Sequence, residues 1–276
     1  MQGDSHRPAA ASGAPILELS GVSKSFDSYP HRVVALEGID LRIDKGEFVT
    51  LVGPSGCGKS TLFNIVAGLL DADAGGTVGF GGMSQSARDL LGKVSFMPQR
   101  DLLLPWRRVI DNVILPLEVE GMGRAEARKT AAALFPEFGL SGFERHYPHQ
   151  LSGGMRQRVA LMRTFCFERP LVLLDEPFGA LDAMTRTLMQ RWLLDIWQRH
   201  KRTILFITHD VDEAIFLGDR VVVMTARPGC IKLSMDIRLE RPRNPRITTS
   251  TEFQSVKKAL LEAIEEESMK SFLAEK

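Results

Sequence analysis

Residues 53–60 read GPSGCGKS and are followed by Thr61. Gly53, Gly56 and Gly58 leave a backbone free to wrap an oxyanion with its N–H groups, and Pro54, Ser55 and Cys57 complete the loop. Lys59 supplies a cation for the terminal phosphates of a nucleotide, and the Ser60 hydroxyl suits Mg2+. The apolar run GEFVTLVG before the loop and the segment LFNIVAGLL after it provide the flanking strand and helix that such a loop needs. Leu62, Ile65, Val66 and Leu69 keep helical spacing in that second segment.

Acids follow a second apolar run, LVLLDEP. A buried strand does not tolerate unpaired charge, so Asp175 and Glu176 belong at its C-terminal end, where ligands of α/β proteins bind. Asp175 is placed to hold Mg2+, and Glu176 to polarise the water that attacks a γ-phosphate. The run TILFITHD ends another strand in the same way with His209, placed to contact the γ-phosphate and keep Glu176 and the water in line. Gln99 closes KVSFMPQ, where its neutral amide senses Mg2+ or water without adding charge.

A second anion-binding pattern lies in LSGGMRQR, Leu151–Arg158. Ser152, Gly153 and Gly154 open a helix, exposing bare N–H groups at the positive end of its dipole, with two arginines close behind. One domain would then carry two phosphate cradles.

The elements needed to position these residues alternate along the chain. ILELSGVSKSF and IDLRID have the period of half-buried strands; GTVGF and KVSFMPQ are further strands. From about residue 100 to 166, helical stretches such as RAEARKTAAALF are broken by Pro105, Pro116, Pro136 and Pro148, which predicts a helical subdomain. Strand patterns resume with LVLLDEP, TILFITH and RVVVM. Between the first two of these runs, Met184, Leu188, Trp192 and Ile196 predict the buried stripe of a helix. Strands alternating with helices predict an α/β fold with a mostly parallel sheet. Residues 1–14, rich in Ala, Gly, Pro and Ser, read as a disordered lead. The main domain spans 15–235. Residues 236–276 form a tail: RLERPRNPR is an extended basic linker, and a last helix begins near Thr249, with Glu252 completing a capping box. Phe253, Val256, Leu260 and Ile264 lie along one face of that helix, to pack on the domain or its dimer mate, with a regulatory ligand site as the alternative.

A formal net charge of +1 gives no electrostatic case for nucleic-acid binding. Three unpatterned cysteines, Cys57, Cys166 and Cys230, predict neither disulfides nor a metal site and fit a reducing compartment. No apolar run reaches the ~18–20 residues of a membrane span, and the N-terminus lacks a signal-peptide core. The expected place is the cytoplasm, with membrane association only through a partner.

Taken together in order, the phosphate loop, Gln99, LSGGM, the strand Leu171–Asp175 with Glu176, GALD ending at Asp182, and His209 resemble the ATP-binding cassette (ABC) ATPases from about Ile16 to Met235. The resemblance implies a P-loop core with a mostly parallel sheet, an antiparallel β subdomain and a helical subdomain. It implies ATP and Mg2+ as ligands, and two cassettes paired head to tail, each signature loop capping ATP on its partner. Ser152, Gly153 and Gly154 would bind the γ-phosphate across that interface, and Asp182 would link the two sites. Phe26 stands where the family stacks an aromatic ring on adenine, a role that needs only its π face. Met155 replaces the glutamine with which the signature most often ends, removing a polar contact. That methionine, PWRRVIDNV and DEPFGALDAMTR resemble the nitrate, sulfonate and taurine importer branch.

The expected function is the ATPase subunit of such an importer, at the cytoplasmic face of the inner membrane. Its partners would be two transmembrane permease subunits and a separate solute-binding protein. Trp106, Val109 and Ile110 offer permease contacts. Two alternatives stay open. A soluble cassette ATPase acting on DNA or ribosomes would usually carry a long coiled-coil insertion or a second cassette. A P-loop small-molecule kinase would leave LSGGM and His209 without a role.

Overall fold

The structure, a computed structural model, describes residues 14–28 and 31–274. All but Ala14 of the expected N-terminal lead lies outside the described residues. In chain order the elements are β1 (Leu17–Ser28), β2 (His31–Ile43), β3 (Phe48–Val52), α1 (Lys59–Val66), β4 (Thr77–Phe80), β5 (Met83–Gln85) and β6 (Ser95–Met97). There follow α2 (Val109–Val113), α3 (Leu115–Val119), α4 (Arg124–Ala132), α5 (Gly153–Cys166) and β7 (Leu171–Asp175). The chain ends with α6 (Ala183–His200), β8 (Thr203–Ile207), α7 (Val211–Leu217), β9 (Arg220–Met224), β10 (Ile231–Asp236) and α8 (Thr251–Ala274).

Two sheets result. The smaller is antiparallel, in the order β2-β1-β4-β5. The larger runs β10-β9-β3-β8-β7-β6, all its neighbours parallel except the edge pair β9 and β10. Every residue of β3, β7 and β8 is buried, which is why their sequences are nearly continuous apolar runs rather than alternating ones. α1 packs in the same core as the antiparallel sheet. The helices α2–α6 share a second core with one side of the large sheet. Parallel pairing brings the C-terminal ends of β3, β7 and β8 to one edge, which is where the loop, the two acids and His209 emerge.

Four local readings need correction. Leu69 is exposed, not helical: α1 ends at Val66, and Gly68 follows in a left-handed conformation (φ 76°). A Cβ on Gly68 would stand 2.4 Å from the Leu91 nitrogen, so only glycine fits there. In α6, Met184 and Leu188 are 78% and 55% exposed, and Trp192 is half-buried. The buried stripe is Met189, Leu193, Ile196 and Trp197. A strict spacing of four drifts about 40° per step around a 3.6-residue helix, so a run of three such steps leaves the core face.

Within RLERPRNPR, Arg241 and Arg243 are docked rather than solvated. Arg243 is buried and donates to the carbonyls of Ile215, Phe216 and Gly218 at the end of α7. Burial pushes its guanidinium down to about 10, reinforced by the neighbouring Arg241 and opposed by Asp219. Arg241 pairs with Asp219 at 2.7 Å and lies over the Trp197 ring. Finally, α8 starts one residue later than the Thr249 cap implies. Ser250 Oγ accepts the Phe253 N–H, whereas the Thr249 hydroxyl donates to the Arg246 carbonyl. Phe253 and Leu260 are buried against α7 and β9, with Val256 and Ile264 half-covered, so this face packs on the same chain.

Candidate functional site

Lys59 is the first residue of α1, and the loop ahead of it is shaped by glycine. Gly56 and Gly58 have φ of 73° and 105°, conformations that side chains rarely adopt. A Cβ on Gly58 would come within 2.8 Å of the Ala35 carbonyl and 2.7 Å of Leu36. Lys59 Nζ donates to the carbonyls of Gly53 and Pro54, both at 2.8 Å, and approaches Cys57 Sγ at 3.6 Å. The Cys57 side chain is buried on the inner side of the loop. It packs beside Gly53.

The loop forms the floor of a cleft of about 580 Å3. Ser55, Gly56, Gly58, Lys59, Ser60 and Thr61 line it, together with Gln99, Glu176, His209 and Phe26. Phe26 is 39% exposed, so its ring is available for stacking. Ser60 Oγ donates to Asp175 Oδ2 at 3.1 Å. Burial pushes the Asp175 carboxyl up; the Ser60 hydrogen bond pulls it down, neighbouring Glu176 adds to the rise and Lys59 opposes it. A carboxylate disfavoured by burial beside a hydroxyl is a fitting oxygen pair for Mg2+, which usually takes one or two protein oxygens and completes its shell with water and phosphate.

Glu176 leaves β7 with φ of 43°, a strained conformation for a side chain of this size. Its N–H donates to the Ile207 carbonyl at 3.0 Å, which fixes the strained residue to the end of β8. His209 Nδ1 donates to Glu176 Oε2 at 3.0 Å; a carboxylate only accepts, which sets the imidazole tautomer. The acid and histidine therefore face the cleft as a pair.

Ser152, Gly153, Gly154 and Asp182 are not part of this cleft. Ser152 caps α5, its Oγ accepting the Met155 N–H at 3.3 Å. Asp182 caps α6 through the Thr185 N–H at 3.0 Å, and hydrogen bonds from Thr185 hold its carboxyl below the usual range. The two caps adjoin: a Cβ on Gly154 would meet Thr185 Cγ2 at 3.1 Å. The arginines of LSGGMRQR turn elsewhere, contrary to a direct anion-binding role. Arg156 donates to the Leu151 carbonyl and pairs with Asp101, and Arg158 lies against Met189. Met155 is half-buried against the helical core. Trp106 is 72% exposed, but Val109 is buried and offers no surface for a partner.

A family model described as ABC transporter matches residues 36–179. An uncharacterized ABC transporter ATP-binding protein of Methanocaldococcus jannaschii is 46% identical over 255 residues, covering 92% of this chain and 93% of its own. This chain belongs to the ABC transporter ATP-binding family. The aliphatic sulfonates import ATP-binding protein SsuB of Bacillus cereus is 41% identical over 249 residues, or 90% of this chain and 96% of that protein. A bacterial ABC transporter cassette solved as a dimer is similar with TM-score 0.71 and 31% identity, over 81% of this chain and 100% of that one. A post-hydrolysis state of the same cassette, bound to ADP and Pi, matches equally well. The chain is thus an ABC ATPase with the cassette fold.

Three cleft-lining residues were not legible as site residues: Val33, Ala35 and Arg227. The first two only complete the wall beside Phe26. Arg227 arrives from the turn between β9 and β10, and its one sequence signal is the ARPG punctuation after RVVVM. Among the described residues no helix is long and apolar enough to cross a membrane.

Proposed function

We propose that this cassette is the ATP-hydrolysing subunit of an importer for a small solute of the nitrate, sulfonate or taurine kind. Two copies would pair head to tail on two permease subunits at the cytoplasmic face of the inner membrane, served by a separate solute-binding protein. The observation that carries the hydrolytic reading is the Glu176–His209 pair, held by two adjacent strand ends over the same cleft as the phosphate loop. In this reading the loop N–H groups and Lys59 bind the phosphates, and Phe26 stacks on adenine. Gln99 senses the γ-phosphate end of the cleft. Glu176 accepts a proton of the attacking water and His209 holds the carboxylate in line. Asp175, Ser60 and Gln99 would hold Mg2+, which neutralises charge on the phosphate oxygens. Head-to-tail pairing draws support from the separation of Ser152–Gly154 from the chain's own cleft, and from the dimeric cassette that it resembles. The importer assignment draws support from the similarity to the sulfonate-import protein.

Product analysis tests the chemistry. With Mg·ATP, the wild type should release inorganic phosphate and Glu176→Gln should not; a phosphorylated acceptor in place of free phosphate would mean a kinase. Co-purification of the tagged cassette from membranes tests the assembly, with recovery of two permease subunits expected.

A further inference from the structure

Arg227 enters the cleft from an element outside the phosphate loop, yet it is bound to that loop. Its Nε and Nη2 donate to the Gly56 carbonyl at 3.2 and 3.0 Å. The side chain is otherwise exposed and lines the cleft wall together with Phe26, Val33 and Ala35. The guanidinium has five N–H donors, of which the Gly56 carbonyl engages only part, and its planar fork matches phosphate oxygens.

The backbone that carries Arg227 is built to stay in place. Thr225 Oγ1 accepts the Cys230 N–H at 2.8 Å and donates to the Pro228 carbonyl at 2.9 Å. Gly229 donates to the Ala35 carbonyl and accepts from the Glu37 N–H, both at 3.0 Å. A Cβ on Gly229 would stand 2.1 Å from the Cys57 carbonyl, so the turn is pressed against the phosphate loop itself. From the other side, the Ala226 N–H donates to Glu267 Oε2 of α8 at 3.1 Å. Lys232 and Lys270 pair with the same carboxylate at 2.9 and 2.7 Å. The C-terminal helix is therefore tied to the residue adjacent to Arg227.

We propose that Arg227 is a nucleotide-contacting residue that binds the phosphate tail of ATP and ADP from the β9–β10 turn, with Glu267 as the positioning residue that holds the turn. The proposal rests on the reading of the cleft as the ATP site. A cation fixed by the hairpin gives α8 a mechanical route to nucleotide affinity, because displacing Glu267 frees the Ala226 N–H and loosens the turn.

The test is titration of full-length protein with fluorescent mant-ATP and mant-ADP. Gln at position 227 can still donate to the Gly56 carbonyl but carries no charge. Arg227→Gln should weaken both nucleotides about five-fold, the loss shrinking at high salt, and Arg227→Lys should recover most of it. Wild-type affinity in Arg227→Gln would overturn the proposal, leaving the arginine as a tie on the loop. Glu267→Ala, which removes the acceptor of the Ala226 N–H, should weaken both nucleotides about two-fold through the turn, and unchanged affinity would overturn its positioning role. If the wild type bound neither nucleotide, the ATP-site reading itself would fall, which separates that failure from the failure of the arginine contact.

Discussion

The helix starts at Gly58 and at Ser152 both contain glycine, yet their glycines answer to different neighbours. At Gly58 the backbone is left-handed and a Cβ would strike the Ala35 carbonyl and Leu36. The chain's own fold demands glycine there. At Gly153 the backbone makes no such demand, and a Cβ would meet only the far end of Arg156 at 3.9 Å. α1 has no side-chain cap, whereas α5 is capped by Ser152. One start is completed within the chain by Lys59, Ser60 and the cleft walls. The other is capped by Ser152 and lies exposed beside the Asp182 cap, outside the chain's own cleft, and the proposed pairing would give it an occupant. A glycine required by its own fold and one whose surroundings leave room for a side chain look identical in a sequence; only their neighbours separate them.

The largest expected effect sharpens the completed site. Glu176→Gln should cut phosphate release about 10^2–10^4-fold while keeping nucleotide binding, measured by phosphate assay and mant-ATP titration. Asp175→Asn should lower Mg-dependent hydrolysis about 100-fold while leaving the melting temperature unchanged or higher. The sign follows from burial, which disfavours the ionised carboxyl in the fold, so removing the charge relieves the fold even as it disables the site.

A direct contrast between the two helix starts comes next. Gly58→Ala should cost about 3 kcal/mol in denaturant unfolding, from left-handed strain plus overpacking against Ala35 and Leu36. Gly153→Ala should change stability by less than about 0.5 kcal/mol, because alanine is a better helix former, while lowering hydrolysis. Equal destabilisation by the two substitutions would break the distinction.

Much of the completed site is legible in the sequence because it is local. GPSGCGKS, LVLLDEP and TILFITHD each join a buried strand to a polar end, and parallel pairing of β3, β8 and β7 then brings those ends together. The signature is equally legible as a string, but its two arginines mislead. Arg156 and Arg158 go to Asp101 and Met189, partners set by packing of the helical subdomain. Arg227, Arg241 and Arg243 escape for the same reason. A cation in a Pro-rich stretch reads as solvated until tertiary structure supplies the carbonyls of Gly56, or of Ile215, Phe216 and Gly218. The buried stripe of α6 departs from the sequence spacing for a different reason, because a strict spacing of four outruns the turn of the helix.

The smallest effect concerns the tail. Burial would raise the Glu267 carboxyl, but hydrogen bonds from Lys270, Lys232 and the Ala226 N–H outweigh it and bring it down to about 2, from an ordinary 4.5. A value lowered in the fold means that its stabilisation is complete above about pH 4.5 and is lost as the pH falls towards 2. Acid should therefore release α8 from the β9–β10 turn over that window, seen as faster proteolysis of the tail by an acid-active protease. Glu267→Gln should flatten that dependence.

The most direct test of the central claim, that the helix start at Ser152 is kept bare for a second copy's phosphate, is the molar mass of Glu176→Gln in solution with and without Mg·ATP. A doubling is expected on adding Mg·ATP, which Ser152→Arg should abolish while nucleotide binding persists. A doubling that survives Ser152→Arg, or a protein that binds ATP yet stays monomeric, would contradict it.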